Sequence, residues 1–344
     1  MKKRSAVILA LVMLLCASLQ AQVVPLDTII ARIEQNNPML KEFDERTTAM
    51  ERYAEGATSW MAPMVGFGPY WFPYRKQEAT HDVDPEDGMY MAVFEQDIPN
   101  PMKIRTRKNY AGSRAAIVQE EKAVELNNLR AEARILYFNM IVLRDKQKIL
   151  SESQSILDLM LRIARLRYPY NQSTLGMIYK TEGRLHEVEN MQSMAAGEEE
   201  SVRIRLNAMM NLSPHLPLEV DTAYTRNIRA RNLYDTAQWQ SSRSDLRQLR
   251  REIEAMRFNQ QVQRSNARPD FKFRFEHMFQ RDPAMPNQFS AMVMMTIPIA
   301  PWSSKMYRSE IKGMDYDIRA MERERDGIIN ESQGMIMSMQ SQLH

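Results

Sequence analysis

Tyr168-Pro169-Tyr170-Asn171-Gln172-Ser173-Thr174 is a short interruption in a stretch, Pro101 to Leu212, that otherwise contains almost no helix-breaking residue. Before it, leucines recur every seven residues, the spacing of a helix packed lengthwise on a partner. Small and apolar residues keep the same step after it. The pattern predicts a helix, a tight turn and an antiparallel helix. The residues at this step are Leu129, Leu136, Leu143, Leu150, Leu157, Ala164, Val188, Ala195, Val202 and Met209.

The predicted first helix is longer than a compact globular core requires. About 65 residues, at a rise of 1.5 Å per residue, give a helix of roughly 100 Å. A helical hairpin of this length is typical of a spacer, a fibre or the wall of a tunnel. The hairpin alone does not distinguish among these three, so the remaining segments decide.

The N-terminus has the pattern of a secretory signal peptide, which we assign to residues 1–21. Cations at residues 2–4 precede an apolar run that is too short for a membrane anchor. In the alternative, a lipoprotein, Cys16 would be the lipidated first residue, although Leu15 is bulkier than such processing favours. Cys16 is the only cysteine. A chain cleaved after Ala21 therefore has no disulfide, thiolate metal site or cysteine nucleophile.

Charge, hydropathy and motifs argue against several classes of protein. The chain carries 46 Lys and Arg against 43 Asp and Glu, and removal of the leader's three cations leaves the charges balanced. Nucleic-acid binding therefore has no overall electrostatic support. After the leader, no apolar run reaches the roughly 20 residues of a membrane helix, so any membrane crossing would use strands. No phosphate loop, nucleophile elbow or HExxH motif occurs, and we expect neither an enzyme nor a bound cofactor.

Two pairs of segments have strand character. Met64 to Tyr74 is aromatic and contains Gly and Pro, Met89 to Ile98 alternates, and the acidic loop Arg75 to Gly88 joins them. The second pair begins at Phe271 and ends with Phe289 to Ile297. Their lengths fit tilted membrane strands, and crowded aromatic residues are typical of a bilayer interface. The alternative is the core of a soluble β-sandwich. The aromatic residues concerned are Phe67, Tyr70, Trp71, Phe72, Tyr90, Phe94, Phe271, Phe273, Phe275 and Phe289.

The order of predicted elements repeats, which indicates an internal duplication of helix, strand, strand and long helix. A helix begins near Leu26 with Asp27 as its expected N-cap, and Pro38 starts the next helix. After the second strand pair only 44 residues follow Ala300, whereas the first copy has about 112 in its hairpin. We therefore expect a complete relative to extend roughly 70 or more residues further. We divide the chain into a signal peptide (1–21), a first repeat (22–212), a connector (213–241) and an incomplete second repeat (242–344).

These features resemble the TolC-like outer-membrane efflux proteins, with the heavy-metal cation branch as one candidate, over nearly the whole chain after the leader. At the hairpin turn Asn171 stands where that family has glycine, and Asn is the next best residue in the left-handed conformation. The motifs that carry the resemblance are Leu26-Asp27-Thr28-Ile29-Ile30, Asn36-Asn37-Pro38, Asp97-Ile98-Pro99, Thr296-Ile297-Pro298 and the turn from Arg167-Tyr168 to Gly176.

The resemblance implies a mainly α fold with transmembrane β-strands. Long antiparallel helical hairpins would form a periplasmic tunnel, and each subunit of a homotrimer would give four strands to a shared twelve-stranded barrel in the outer membrane. The implied partners are a periplasmic adaptor protein, an inner-membrane pump and outer-membrane lipid. The hairpin tip would contact the adaptor, whereas in the alternative it is an ordinary exposed turn. The tip residues are Arg167, Tyr168, Tyr170, Asn171, Ser173, Thr174 and Gly176.

The function implied by the resemblance is that of a passive conduit exporting small molecules or metal cations. The alternatives are a type I secretion outer-membrane conduit and a secreted coiled-coil structural or adaptor protein. The abundance of methionine, 28 residues, raises a metal-binding scaffold as a further alternative, because thioethers bind soft ions such as Cu(I). Methionine is also a flexible filler of packed surfaces. The metal candidates on the predicted strands are Met89, Met91, Met292 and Met294.

Overall fold

The computed structural model describes residues 23–72, 88–221, 240–298 and 300–342. The predicted signal peptide with Cys16, Tyr74, most of the acidic loop and much of the connector lie outside the described residues. Helices dominate the part that is described. A helix, two strands and a long helix follow one another in this order twice along the chain. The elements are β1 (Val23–Val24), α1 (Leu26–Asn36), α2 (Pro38–Gly56), β2 (Met64–Tyr70), β3 (Met89–Ile98), α3 (Pro101–Arg167), α4 (Leu175–Met209), β4 (Glu219–Val220), α5 (Ser244–Ser265), β5 (Phe271–Gln280), β6 (Gln288–Met295) and α6 (Pro301–Gln342).

The helical hairpin predicted from the seven-residue pattern is confirmed. α3 runs without a break for 67 residues, which corresponds to about 100 Å. A single 3-10 turn at Tyr168–Tyr170 separates it from α4, which has 35 residues. Leu129, Leu136 and Leu143 of the predicted seam are buried, as is Ala195 on the returning helix.

Two details of the sequence prediction are wrong. Asp27 is not the N-cap of α1: that position is Pro25, which forms no side-chain cap, and Asp27 lies in the first turn. β2 ends at Tyr70 rather than at Tyr74, because Trp71 has a φ of 59° and turns the chain out of the extended conformation. Trp71 and Phe72 therefore follow the strand that was predicted to contain them.

The chain divides into two compact units, the first formed by residues 1–42 and 122–232. In its described part, α1 packs on the hairpin, and the two-residue strands β1 and β4 pair in parallel. Tyr137 anchors β4: its hydroxyl accepts a hydrogen bond from the backbone N–H of Asp221 at 3.1 Å. The fully or almost fully buried side chains of this core are Ile29, Ile33, Leu40, Ala133, Leu136, Tyr137, Met140, Leu206 and Met210.

Two asparagines tie the end of the hairpin to this core. Asn207 is buried, and its amide donates to the carbonyls of Pro214 (3.1 Å) and Leu216 (2.8 Å). Asn37 donates to the Met209 carbonyl at 2.9 Å, while its own Oδ1 accepts the N–H of Met39 at the start of α2. Asn37 thus satisfies the Met209 carbonyl at the end of α4, and Asn207 satisfies two carbonyls of the segment that follows.

The second unit comprises residues 43–121 and 233–344. Here α5 packs on α6 through Leu249, Ile253 and Ile318. Gln260 on α5 donates to Asp315 on α6 at 2.7 Å. At the start of α5, hydrogen bonds from Arg243 lower the pKa of Asp245 below its usual value. This unit also contains most of α2, the first part of α3 and the sheet formed by β2, β3, β5 and β6.

The junctions between strands and long helices in this unit are held by one polar cluster around Asp270. Its carboxylate accepts hydrogen bonds from the Asn100 N–H at 3.2 Å and from the Lys103 ammonium at 2.5 Å. The backbone N–H of Asp270 donates to the Thr296 hydroxyl, and the Thr296 N–H donates back to the Asp270 carbonyl. Lys103 is buried, so this charge pair fixes the start of α3 against the start of β5.

Candidate functional site

The first candidate site is the four-stranded sheet. All neighbouring strands are antiparallel, and their order is β2-β3-β5-β6. The central β3–β5 pair joins the two copies of the strand pair through ten consecutive residue partners, from Met89 with Gln280 to Ile98 with Phe271. β2 and β6 are the two edges, and within the described residues neither edge pairs with a further strand.

One face of the sheet is apolar and rich in aromatic residues. Successive residues of a strand point to opposite faces, so the register assigns each side chain to a face. Phe67 and Phe289, at 71% and 72% exposure, are among the most open large side chains of this face. In the described part of the chain nothing covers these rings, in contrast to the core of a soluble sandwich. The aromatic face contains Val65, Phe67, Pro69, Tyr90, Ala92, Phe94, Gln96, Ile98, Phe271, Phe273, Phe275, His277, Phe279, Phe289, Ala291, Val293 and Met295.

Ring contacts continue across all four strands. Phe67 stacks on Tyr90 with centroids 6.0 Å apart, and Phe275 stacks on Phe289 at 6.2 Å. Phe94 and Phe273 lie 6.5 Å apart at the centre. These pairs form a continuous aromatic surface rather than isolated exposed residues.

Two predicted strand aromatics instead stabilise the end of the β2–β3 hairpin. Phe72 packs edge-on against Tyr90 at 5.4 Å, and Trp71 stacks on Tyr70 at 5.9 Å. Gly88 has a φ of 136°, and a Cβ there would lie 3.2 Å from the Phe72 ring. A side chain at this position would be strained by the positive φ and would crowd the Phe72 ring, so glycine is required. The Phe72 ring therefore packs against the start of β3.

The opposite face carries the charged residues of the sheet. Lys272 bonds Glu95 and lies 3.4 Å from Asp97, and Arg274 bonds Glu276 at 2.5 Å. Three carboxylates thus face two cations, so this polar face has an excess of one negative charge. A concavity of about 400 Å³ on this face is lined in part by Asp97, Lys272 and Arg274.

The four methionines proposed from sequence as metal candidates lie on this polar face as well. Met91 is the register partner of Met278, and Met89 is two residues earlier on the same strand. Met292 is paired with Arg274, and Met294 with Lys272. The structure therefore brings Met89 and Met91 together with Met278, but it places Met292 and Met294 opposite cationic side chains.

The second candidate site is the hairpin tip, which lies in the first unit. Asn171 has a φ of 57°, as predicted for the position held by glycine in the resembled family. The N–H groups of Asn171 and Gln172 donate to the carbonyls of Tyr168 and Arg167 at 3.1 Å. Thr174 caps α4 by accepting the Met177 N–H at 3.2 Å. The turn is therefore closed by its own backbone and a cap, which leaves its other side chains available.

The side chains at the tip are apolar and exposed. Tyr170 is 76% exposed, and Leu166, Leu175, Met177 and Tyr179, which are close to it in sequence, are exposed as well. Beneath them a small cluster of Leu161, Ala164, Ile178 and Leu185 holds the two helices together. Gly176 lies in the first turn of α4, and a Cβ added there would meet nothing within 4 Å. No contact in the described chain requires that glycine.

An exposed apolar stripe on α3 was not predicted, although its pattern is present in the sequence. One position before the seam residues, β-branched residues recur every seven residues along α3. Unlike the seam, these side chains are exposed, four of them by about 60%. They form a second apolar stripe about 100° around the helix from the seam. The residues of this stripe are Ile135, Val142, Ile149, Ile156 and Ile163.

Two kinds of feature are absent from the described part of the chain. None of its helices combines the length and hydropathy required to cross a membrane. No group of three or more His, Cys, Asp or Glu side chains there is arranged to hold a metal ion.

Comparison with known proteins gives no family model and no curated protein that matches this chain. Solved structures do match. CusC, for which transmembrane channel formation is described, is 12% identical with a TM-score of 0.70, over 92% of this chain and 76% of CusC. The outer-membrane channel OprN is 12% identical with a TM-score of 0.68, over 88% of this chain and 70% of OprN.

A third structure, the outer membrane protein VceC from Vibrio cholerae, is 14% identical with a TM-score of 0.66, over 92% of this chain and 78% of VceC. Identities this low establish the fold and not the substrate. The three matches agree with one another, and each covers 88% or more of this chain. The fold of this chain is therefore that of outer-membrane channel proteins of known structure.

Proposed function

We propose that this protein is a subunit of an outer-membrane channel in a tripartite efflux system. Three copies would form a passive conduit through which small molecules or metal cations leave the periplasm. The partners would be outer-membrane lipid, a periplasmic adaptor protein and an inner-membrane pump, with no nucleic acid involved. The conduit requires neither catalysis nor a cofactor, because selectivity arises from pore width and the charge of the lining.

The observation that carries this proposal is the two-faced sheet, whose two edges pair with no further strand of the described residues. In lipid every backbone hydrogen-bonding group needs a partner, so a four-stranded sheet cannot remain open there. Strands of three copies would close one barrel of twelve strands. The aromatic face would then contact lipid, and the polar face with its ion pairs would line a water-filled lumen.

The exposed stripe of α3 supports assembly from several copies. A helix with apolar residues at a seven-residue step packs on a partner along that line. The seam residues of α3 already pack against α4. The stripe from Ile135 to Ile163 is a second apolar line on the same helix that could pack against another helix. We assign it to a helix of a second copy of this chain, because a trimer places long helices of neighbouring subunits side by side.

The hairpin tip is proposed as the contact for the adaptor. Tyr168 and Tyr170 are exposed large aromatics on a turn that the backbone itself closes, an arrangement typical of interface anchors. Gly176 costs the helix about 0.5–1 kcal/mol relative to alanine without relieving a local clash. Close approach of a partner backbone at Gly176 explains why glycine occupies that position.

Fractionation of cells that express the full chain tests the proposal. We expect the protein in the outer-membrane fraction, extractable only with detergent and migrating in mild SDS at three times the chain mass until it is boiled. Recovery as a monomer from the soluble periplasm would contradict the channel and favour the secreted coiled-coil alternative. A membrane trimer whose deletion abolishes secretion of a polypeptide, with no change in resistance to toxic compounds, would instead favour the type I secretion conduit.

A further inference from the structure

Both long helices of the second unit start at the same end of the sheet. β3 ends at Ile98 and β6 ends at Met295, and both residues are register partners of Phe271, the first residue of β5. α3 begins at Pro101 and α6 begins at Pro301, shortly after these strand ends. We call this the helical end of the sheet.

The two helices carry cations at equivalent positions. Arg105 and Lys108 are the fifth and eighth residues of α3. Lys305 and Arg308 are the fifth and eighth residues of α6. Residues three apart share a helix face. All four side chains are exposed, and none of them forms an ion pair within the described residues. Cations near a helix N-terminus gain nothing from the helix dipole, so helix stability does not explain the repeated pattern.

On α6 these cations line a concavity of about 390 Å³. Lys312, one turn beyond Arg308, lines it together with Lys305 and Ser309. Its lining, as far as the chain is described, includes no Asp or Glu. Guanidinium and ammonium groups are the side chains that bind phosphate best. The concavity is therefore suited to a phosphate group.

The cations at the helical end point away from the polar face of the sheet. Asp270 directly precedes Phe271 of the aromatic face, so its carboxylate lies on the polar side by alternation. Lys103, the third residue of α3, binds that carboxylate. Arg105 and Lys108 lie about 200° and 140° around the helix from Lys103. They therefore point to the side of the aromatic face, and the duplication assigns the same direction to the equivalent cations of α6.

Exposed tryptophans flank the helical end. Trp302, the second residue of α6, is 85% exposed, and Trp60, shortly before the start of β2, is 56% exposed. Tryptophan is enriched where a membrane meets water. Lys305 and Arg308 start about 6 and 10 Å beyond Pro301. Their long side chains lean toward the helix N-terminus, so the charged groups reach back to the level of the tryptophans.

We propose that Lys305, Arg308 and Lys312 bind the headgroup phosphate of an anionic phospholipid, and that Arg105 and Lys108 form an equivalent second site. The proposal rests on the proposed channel in one respect: the helical end lies at the membrane surface only if the sheet crosses the bilayer. Free phosphate shares the same chemistry. The neighbouring exposed tryptophans favour a lipid as the source of the phosphate.

The test uses full-length protein purified in a neutral detergent, with bound lipid counted by native mass spectrometry. Phosphatidylglycerol, phosphatidylcholine and inorganic phosphate are titrated separately. The wild type should bind phosphatidylglycerol about fivefold or more tightly than phosphatidylcholine. Lys305→Gln and Arg308→Gln should each weaken the binding of phosphatidylglycerol by about fivefold, the contribution of one cation near an anionic membrane surface. Lys305→Arg keeps the charge and should bind as the wild type does.

Arg323→Gln is the matched control, because Arg323 is also exposed on α6 but lies about 27 Å further along the helix than Lys305. It should bind phosphatidylglycerol as the wild type does. Equal affinity of the wild type for both lipids, or an equal loss in Arg323→Gln, would overturn the proposal.

Two other results would also overturn it. Inorganic phosphate that displaces the lipid at similar concentration would identify a site for free anions. Loss of the trimer in lipid-free detergent for Lys305→Gln would assign this cation to a contact with a second copy. A membrane trimer without the lipid preference retains the channel and loses this site, whereas a soluble monomer with the preference retains the lipid contact and loses the channel.

Discussion

The two faces of the sheet are built from the same strands, yet they differ in polarity and in charge. The aromatic face carries Phe67, Phe275 and Phe289 in the open, while the polar face pairs Lys272 and Arg274 with carboxylates. An isolated soluble domain would cover the rings and expose the ions. Here the rings are exposed, which the proposed channel explains by lipid on that face and water on the other.

The largest expected effect comes from placing one charge on either face. Ala291 and Ser290 are neighbours on β6, the first on the aromatic face beside Phe275 and the second on the polar face beside Glu276. Ala291→Lys should cost about 2–4 kcal/mol if the position is near the bilayer midplane. We expect loss of the heat-resistant trimer in membranes for Ala291→Lys.

Ser290→Lys is the matched control, because it adds the same side chain next to a carboxylate in a watery environment. It should assemble as the wild type does, measured by the fraction of trimer in mild SDS. Equal assembly of both variants would remove the physical difference between the two faces on which the channel proposal depends.

α3 shows a similar contrast between two of its surfaces, the buried seam and the exposed stripe. Ile156 belongs to the exposed stripe, and Ser155 beside it is exposed and polar. Ile156→Glu should leave the fold of the hairpin unchanged but weaken assembly by about 1.5–3 kcal/mol, the value of one buried isoleucine. Cross-linking in detergent, across a dilution series, measures the shift from trimer to monomer.

Ser155→Glu is the matched control, and its shift from trimer to monomer on dilution should match that of the wild type. If Ile156→Glu assembles like the wild type, the stripe is an exposed surface without a partner, and a second copy is not its occupant.

The smallest expected effect concerns the hairpin tip. Gly176→Ala meets no steric obstacle and should stabilise the start of α4 by about 0.5–1 kcal/mol. If a partner approaches the backbone there, the same change should reduce resistance of the cells to toxic compounds although the protein is more stable. Thermal unfolding and inhibitory concentrations are measured in parallel. Higher stability with unchanged resistance would identify the tip as an ordinary exposed turn.

The hairpin was predictable because its signals are local. A seven-residue apolar step defines a helix, and one proline-containing interruption defines the turn, where Asn171 has the expected left-handed conformation. The end of β2 was not predictable, because a positive φ at a bulky residue such as Trp71 is set by its contacts and not by its type. The N-cap of α1 was predicted at Asp27, whereas Pro25 occupies this position in the structure.

The sequence also could not show which residues share the polar face across strands. Alternation within one strand assigns faces relative to that strand alone, whereas Met91 and Met278 become neighbours only through the β3–β5 register. These residues are 187 positions apart in the chain. By contrast, the isoleucine stripe on α3 was visible in the sequence, but exposure was needed to distinguish it from the seam.

Cysteine scanning along β6 tests the central claim most directly. Cys16 is the only native cysteine and lies in the predicted leader, so single cysteines at residues 288–295 can be compared against a low background. In intact outer membranes, a water-soluble maleimide that enters the pore should label residues 288, 290, 292 and 294 and leave 289, 291, 293 and 295 largely unlabelled. Uniform labelling, or labelling of the odd-numbered positions instead, would contradict a sheet with lipid on its aromatic face and water on the other.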